Sequence, residues 1–297
     1  MNYKQRLSAR TRQVGHTICV GFDPILHKIP GDGPVAYRIE KFYLEMLDAM
    51  DKAQVYPAAV KPNSAYFEAH GLDCLQVLRK LVAACQERGI LVILDAKRGD
   101  IASTSGAYAQ AAFEVFGADA VTVAPYMGWD TVKPFLDASK SQGVYVLVRT
   151  SNPSARDFQE LWVSDGNLAP ERLFRRVAAK LLEWNNGDIG AVIGATAPAE
   201  LEEILSFWKE HEQDIPLLIP GIAVAGVSGG QGGDMREVLH AIHRAGSDWS
   251  LHLINSSSGV NYAYEKHAGM APAEASVLAL RELIQQMQTV IRDLRDD

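Results

Sequence analysis

What most restricts the fold of this chain is an alternation. A short apolar run stops at a polar turn, a segment with helical spacing follows, and the pair recurs eight times. The apolar runs are Thr17–Phe22, Val55–Val60, Ile90–Leu94, Ala120–Ala124, Val144–Val148, Ile189–Ile193, Leu217–Ile219 and Trp249–Ile254. Between and after them, Tyr37–Met50, Leu72–Arg88, Ile101–Phe116, Asp130–Ser141, Glu171–Trp184, a segment opening at Pro198, Met235–Ala245 and Ala273–Leu294 carry helical periodicity. Strands that are apolar throughout belong to a parallel sheet covered on both faces. Eight strand-then-helix units predict such a sheet closed into a single-domain (β/α)8 TIM barrel over residues 1–297. A doubly wound open sheet is the second reading, but it rarely needs eight regular repeats. The length, 297 residues, suits one barrel, which needs about 250. No composition break marks a linker, and the glycine-rich stretch around 223–233 reads as a mobile loop.

Composition excludes several classes of function. The net charge of −7 lacks the footprint of a nucleic-acid binder, so an anionic ligand needs a local cationic site. No apolar run approaches the roughly 20 residues of a membrane span. Cys19, Cys74 and Cys85 show no C-x-x-C spacing, which suggests neither a disulfide framework nor a zinc site. Nothing near Met1 has the shape of a signal peptide, and a cytoplasmic protein is the expectation.

A barrel of this kind builds its active site at the C-terminal ends of the strands. Those ends offer Asp23, Lys61, Asp95 with Lys97, Tyr126, Ser151, Thr196, a Gly-rich loop with Gln231, and Asn255 to Ser258. The third run is the most telling, because Ile90–Leu94 leads straight into Asp95-Ala96-Lys97-Arg98-Gly99-Asp100-Ile101. On an extended chain Asp95 and Lys97 point to the same side. Charges at a strand end cost desolvation unless they face one another. Facing one another, carboxylates and ammonium groups hold each other ionised. A solvated salt-bridge cluster is the plain alternative, and the convergence of Lys61, Asp23 and Asp100 on the same end argues against it. The loops after the seventh and eighth strands are the usual phosphate cradle of such barrels, and here they are rich in Gly and Ser.

These residues carry a resemblance. Asp95-Ala96-Lys97-Arg98-Gly99-Asp100-Ile101, with Thr104, resembles the D-x-K-x-x-D-I-x-x-T signature of the orotidine 5′-phosphate decarboxylase family. Lys61-Pro62-Asn63, Arg149-Thr150-Ser151-Asn152-Pro153, and Pro220-Gly221 with Gln231-Gly232-Gly233 resemble its longer bacterial branch. The resemblance implies decarboxylation of orotidine 5′-monophosphate to UMP, the last step of de novo pyrimidine synthesis, without metal or organic cofactor. It implies that Lys97 protonates C6 of the pyrimidine as CO2 leaves. Asp95 then lies beside the substrate carboxylate and holds Lys97, and Lys61 joins the charge network. Asp100, Ile101 and Thr104 reach the neighbouring subunit's site in a homodimer. Asp23 takes ribose hydroxyls, Ser151 the pyrimidine edge and Gln231 the phosphate side of a closing loop, and Gly232 and Ser257 also bind substrate.

Two positions depart from the family pattern. Ser258 stands where the family places an arginine on the phosphate, and Ala223–Gly230 lengthens the segment before Gln231. Arg236 and Lys266 are the nearby cations that could substitute for the arginine. Three other readings stay open. A Mg-dependent sugar-phosphate decarboxylase of the same superfamily wants an acid where Lys61 stands. A Schiff-base aldolase needs a lysine desolvated to a low pKa. A non-catalytic phosphate-ligand-binding barrel is favoured only by Ser258.

Overall fold

The apolar runs pair side by side in a computed structural model, which describes residues 1–164, 166, 169–222, 232–267 and 269–296. The strands are β1 (Ile18–Phe22), β2 (Ala59–Pro62), β3 (Leu91–Arg98), β4 (Ala120–Val123), β5 (Gly143–Arg149), β6 (Trp162–Val163), β7 (Glu171–Arg172), β8 (Ile189–Ile193), β9 (Leu217–Pro220) and β10 (His252–Ser256). Among the described residues, eight of them close a parallel barrel in the order β1-β2-β3-β4-β5-β8-β9-β10. Closure is made where Ile18 and Cys19 of β1 register with Ile254 and Asn255 of β10. β6 and β7 form a separate antiparallel ribbon.

The helices are α1 (Tyr3–Val14), α2 (Val35–Ala53), α3 (Ser64–Glu68), α4 (Leu72–Glu87), α5 (Ala102–Gln110), α6 (Trp129–Ala138), α7 (Leu173–Trp184), α8 (Pro198–Glu210), α9 (Met235–Arg244), α10 (Ser258–Asn261) and α11 (Pro272–Asp296). The expected α/β barrel is the observed one.

A strand that is apolar along its whole length still alternates. Val92 and Leu94 of β3 join the core between sheet and helices, with Val20 and Val60. Leu91 and Ile93 face the barrel interior with Cys19, Ala59, Ala120, Tyr145, Val192, Leu218 and Leu253. The inward rows therefore run Leu91, Ile93, Asp95 on β3 and Ala59, Lys61 on β2. On β4 the row is Ala120, Thr122. Polar side chains appear in these rows one step above the apolar layer, at the C-terminal mouth. The opposite end is closed by α1, whose Tyr3 and Leu7 pack into the interior layer. An Asn2–Gln5 capping box starts that helix.

Several boundaries differ from expectation for identifiable reasons. β3 does not stop at Leu94 but continues through Arg98, where Arg98 still registers with Val123 of β4. The expected last strand begins as a 3-10 turn at Trp249–Leu251, and only His252 onward pairs. Glu171 and Arg172 belong to the ribbon, and α7 starts at Leu173. The helix expected to run to Phe116 is α5 followed by a π-helical turn over Ala111–Val115. The expected mobile loop around 223–233 lies outside the described residues from 223 to 231.

Candidate active site

The centre of the mouth is Asp95, 5% exposed. Its Oδ2 accepts from Lys61 Nζ at 2.7 Å and its Oδ1 from Lys97 Nζ at 2.6 Å. Oδ1 also accepts from the Thr122 hydroxyl at 2.9 Å. One buried carboxylate thus carries an ammonium group on each oxygen, the arrangement that can offset desolvation. Burial pushes the Asp95 carboxyl up, but Lys61 and Lys97 more than reverse this and hold it well below the usual carboxylate range. Burial likewise favours neutral Lys61, and the carboxylates of Asp95 and Asp23 outweigh it and hold that ammonium above its ordinary value. Lys61 is buried, whereas the Lys97 side chain is 47% exposed and reaches into the opening.

The backbone at Lys97 is unusual. Leu94 registers with Val121 and Arg98 with Val123, so Asp95, Ala96 and Lys97 oppose Thr122 alone. This bulge turns Lys97 to φ +45°, a left-handed conformation that costs a side-chain-bearing residue on the order of 1–3 kcal/mol. Its N–H leaves the ladder and donates to Thr122 Oγ1 at 2.9 Å.

Around these groups lies a cavity of about 600 Å3, lined among others by Asp23, Lys61, Asn63, Tyr66, Asp95, Lys97, Thr150, Ser151, Gln159, Asn255, Ser257 and Ser258. Among the described residues Asp23 Oδ1 and Asn255 Oδ1 are buried without a hydrogen-bond partner, so the wall carries acceptors awaiting donors. The Asp23 loop is fixed from behind: Tyr262 Oη donates to the Asp23 carbonyl at 2.8 Å and accepts from the Ile25 N–H at 2.7 Å. Both wall serines stand against glycines. A Cβ on Gly21 would lie 1.9 Å from Ser257 Oγ, and one on Gly194 2.6 Å from Ser151 Cβ.

Of the residues singled out in the sequence, Asp23, Lys61, Asp95, Lys97, Ser151 and Ser257 line this cavity. Asp100, Ile101, Thr104 and Gly232 are not among its lining residues. Asp100, at the same end of the barrel, stands apart from the Asp95–Lys97 pair within this chain. Gly99 packs against Ala124 and the chain turns outward, so Asp100 Oδ1 accepts instead from the adjacent Ile101 N–H at 2.8 Å, and Ile101 is 57% exposed. Arg236 faces Asp293 of α11 at 3.9 Å, and the start of α9 is capped by Asp234, so that helix does not bring a cation to the cavity. Ser258 and Gly259, at the β10–α10 turn, do line it. Gln231 lies outside the described residues. Thr122, Gln159 and Tyr66 were missed. Thr122 could have been found by strand parity, since it stands two residues beyond inward-facing Ala120.

Comparison with known proteins places this geometry. The family model described as "Orotidine 5'-phosphate decarboxylase / HUMPS family" matches residues 17–250. The chain belongs to the orotidine 5′-phosphate decarboxylase family. A protein of that name from Aromatoleum aromaticum is 40% identical over 292 residues, spanning 96% of this chain and 98% of its own. Another from Roseiflexus sp. is 38% identical over 286 residues, spanning 96% and 97%. Among solved structures, OMP decarboxylase of Leishmania donovani superposes with a TM-score of 0.75 at 32% identity, covering 98% of both chains. At the second strand end, where a Mg-dependent relative wants an acid, Lys61 occupies one oxygen of Asp95 and repels a cation. Among the described residues no three His, Cys, Asp or Glu side chains converge on a metal position.

Proposed function

We propose that the cavity holds orotidine 5′-monophosphate with its pyrimidine C6 facing Lys97. Family membership, with relatives of the same name along nearly the whole chain, makes this chain a decarboxylase that converts orotidine 5′-monophosphate to UMP. The observation that carries the residue assignments is the Asp95 carboxylate with Lys61 and Lys97 on its two oxygens at the cavity floor.

In this reading the C6–carboxylate bond breaks, CO2 departs, and the electron pair stays on C6 in the plane of the ring. No group of the ring delocalises it. The Lys97 ammonium stabilises that charge as it develops and then gives C6 its proton, becoming a neutral amine that water reprotonates. Asp95 keeps the Lys97 ammonium aimed until that moment, and stands beside the departing carboxylate. Lys61, fully buried, acts as the permanent counter-charge to Asp95. Asp23 Oδ1, unpartnered in the wall, accepts a ribose hydroxyl, and Ser151 meets the pyrimidine edge. Ser257, the N–H groups of Ser258 and Gly259, Gln231 and Gly232 take the phosphate, backbone donors replacing the arginine that Ser258 displaces. Asp100, Ile101 and Thr104 serve a neighbouring copy in a cytoplasmic homodimer. The chemistry needs no metal and no organic cofactor.

The test is loss of orotidine 5′-monophosphate absorbance in the presence of EDTA. Wild type should turn over, and Lys97→Ala should lose at least about a thousandfold in kcat while remaining folded. Near-normal turnover by Lys97→Ala removes it from the chemistry. Abolition of wild-type turnover by EDTA supports a metal-dependent enzyme, and tight UMP binding without turnover supports a binding module.

A further inference from the structure

Thr122 lies outside every role assigned above, yet one hydroxyl of it touches both ends of Lys97's local environment. A backbone N–H can only donate, so Thr122 Oγ1 accepts from Lys97 N at 2.9 Å. Its own proton is then free for Asp95 Oδ1, also at 2.9 Å. Asp95 Oδ1 in turn accepts the Lys97 ammonium at 2.6 Å. The result is a closed loop: Lys97 N–H, Thr122 hydroxyl, Asp95 carboxylate, Lys97 ammonium. Thr122 is 1% exposed, and its neighbours Val121 and Val123 are fully buried on β4, so the anchor is fixed. Lys97 is the opposite case, a long side chain, half in solvent, on a backbone bulge in the left-handed region.

We infer that Thr122 is the positioning residue for Lys97: its hydroxyl holds the bulged backbone and the Asp95 oxygen together, and so sets where the ammonium stands in the cavity. This rests on the reading of Lys97 as proton donor. The polar hydroxyl matters here, not the volume. Valine matches threonine in shape but leaves the Lys97 N–H and Asp95 Oδ1 each short of a partner. Alanine opens room for one water, which can bridge the same two atoms. A packing role orders the variants the other way, because alanine leaves the larger cavity.

The experiment measures kcat and KM for Thr122→Ser, Thr122→Ala and Thr122→Val, with Lys97→Ala alongside. Thr122→Ser should stay near wild type. Thr122→Val should lose roughly 10–100-fold in kcat with KM unchanged within about twofold, the signature of a misplaced reacting group. Thr122→Ala should fall between them. Wild-type kcat in Thr122→Val overturns the inference, as does a kcat lower in Ala than in Val, or a loss confined to KM. Should Thr122→Val fail to fold, Ala and Ser decide. A kcat loss in Ala at constant KM, with Ser normal, supports the inference, and wild-type kcat in Ala overturns it. If Lys97→Ala retains turnover, the proton-donor reading fails and takes this inference with it. If Lys97→Ala is inactive and Thr122→Val is fully active, only the Thr122 inference fails.

Discussion

The two lysines on Asp95 are not equivalent, and burial decides the difference. Lys61 and Asp95 are both nearly inaccessible, so each is tolerable only because the other is there. Removing one partner of such a pair costs roughly 3–5 kcal/mol, because it leaves an uncompensated buried charge. Lys97 is half exposed, and its loss strands nothing. Asp95→Asn should therefore destabilise the fold by that amount, measured by urea unfolding at pH 7, while Lys97→Ala should cost less than about 1 kcal/mol. The pH dependence should change too. In wild type Lys61 is held above its ordinary value, so its contribution is fully present at neutral pH and is lost only as pH rises through that raised value. In Asp95→Asn, burial is left to lower Lys61, the unfolded chain binds the extra proton, and stability should rise from pH 6 to pH 9. A flat profile in that variant would mean that Asp23 alone keeps Lys61 charged.

At the scale of elements, the turn from β3 to α5 does two jobs on two sides. Its inward half delivers Asp95 and Lys97 to the cavity, and after Gly99 its outward half presents Asp100 and exposed Ile101 away from it. In the homodimer reading, that outward half completes a neighbour's site. Mixing inactive Lys97→Ala with inactive Asp100→Ala should then restore part of the activity, because one heterodimeric site receives both wild-type residues. Absence of recovery after demonstrated subunit exchange defeats the trans assignment. The same turn shows what was legible in the sequence. Asp95 and Lys97 are two apart at one strand end, which was enough to expect them side by side, and the barrel topology adds Lys61 from β2. The bulge was not legible: it is set by the register of β3 against β4, and no local signal in Ala96 or Arg98 announces it. Thr122 was passed over because a threonine inside Ala120-Val121-Thr122-Val123 reads as an ordinary β-former. Helix α1 was missed because it lies before the first repeat, and its apolar contacts are to the barrel floor.

For the whole molecule, the two ends of the barrel should respond to pH in different ranges. The floor is a polar plug under the apolar layer. Tyr3 Oη donates to Tyr145 Oη at 3.2 Å, the Tyr3 N–H donates to Asp188 at 2.7 Å, and Arg6 pairs with Asp119. Two buried histidines belong to this end. His16 Nδ1 accepts from the Ile18 N–H at 3.2 Å, which leaves Nε2 to donate to the Tyr56 carbonyl. His252 meets the Ser247 hydroxyl at 2.8 Å. Burial lowers His16 to about 4, assisted by Arg10, and lowers His252 to about 4 against the pull of Asp214 and Asp248. Both are neutral in the folded chain and titrate near 6.5 when unfolded. Between those values the unfolded state binds more protons, so stability is complete above about pH 6.5 and falls as pH descends toward 4. At pH 5 each histidine should cost about 2 kcal/mol. The lowered carboxylates, Asp95 among them, do not contribute in that window, because their stabilisation is lost only below the ordinary carboxylate range. Urea midpoints at pH 7 and pH 5 should therefore differ strongly in wild type, and less in His252→Gln. If His252→Gln and His16→Gln each keep the full wild-type difference, the acid sensitivity lies elsewhere than in the barrel floor.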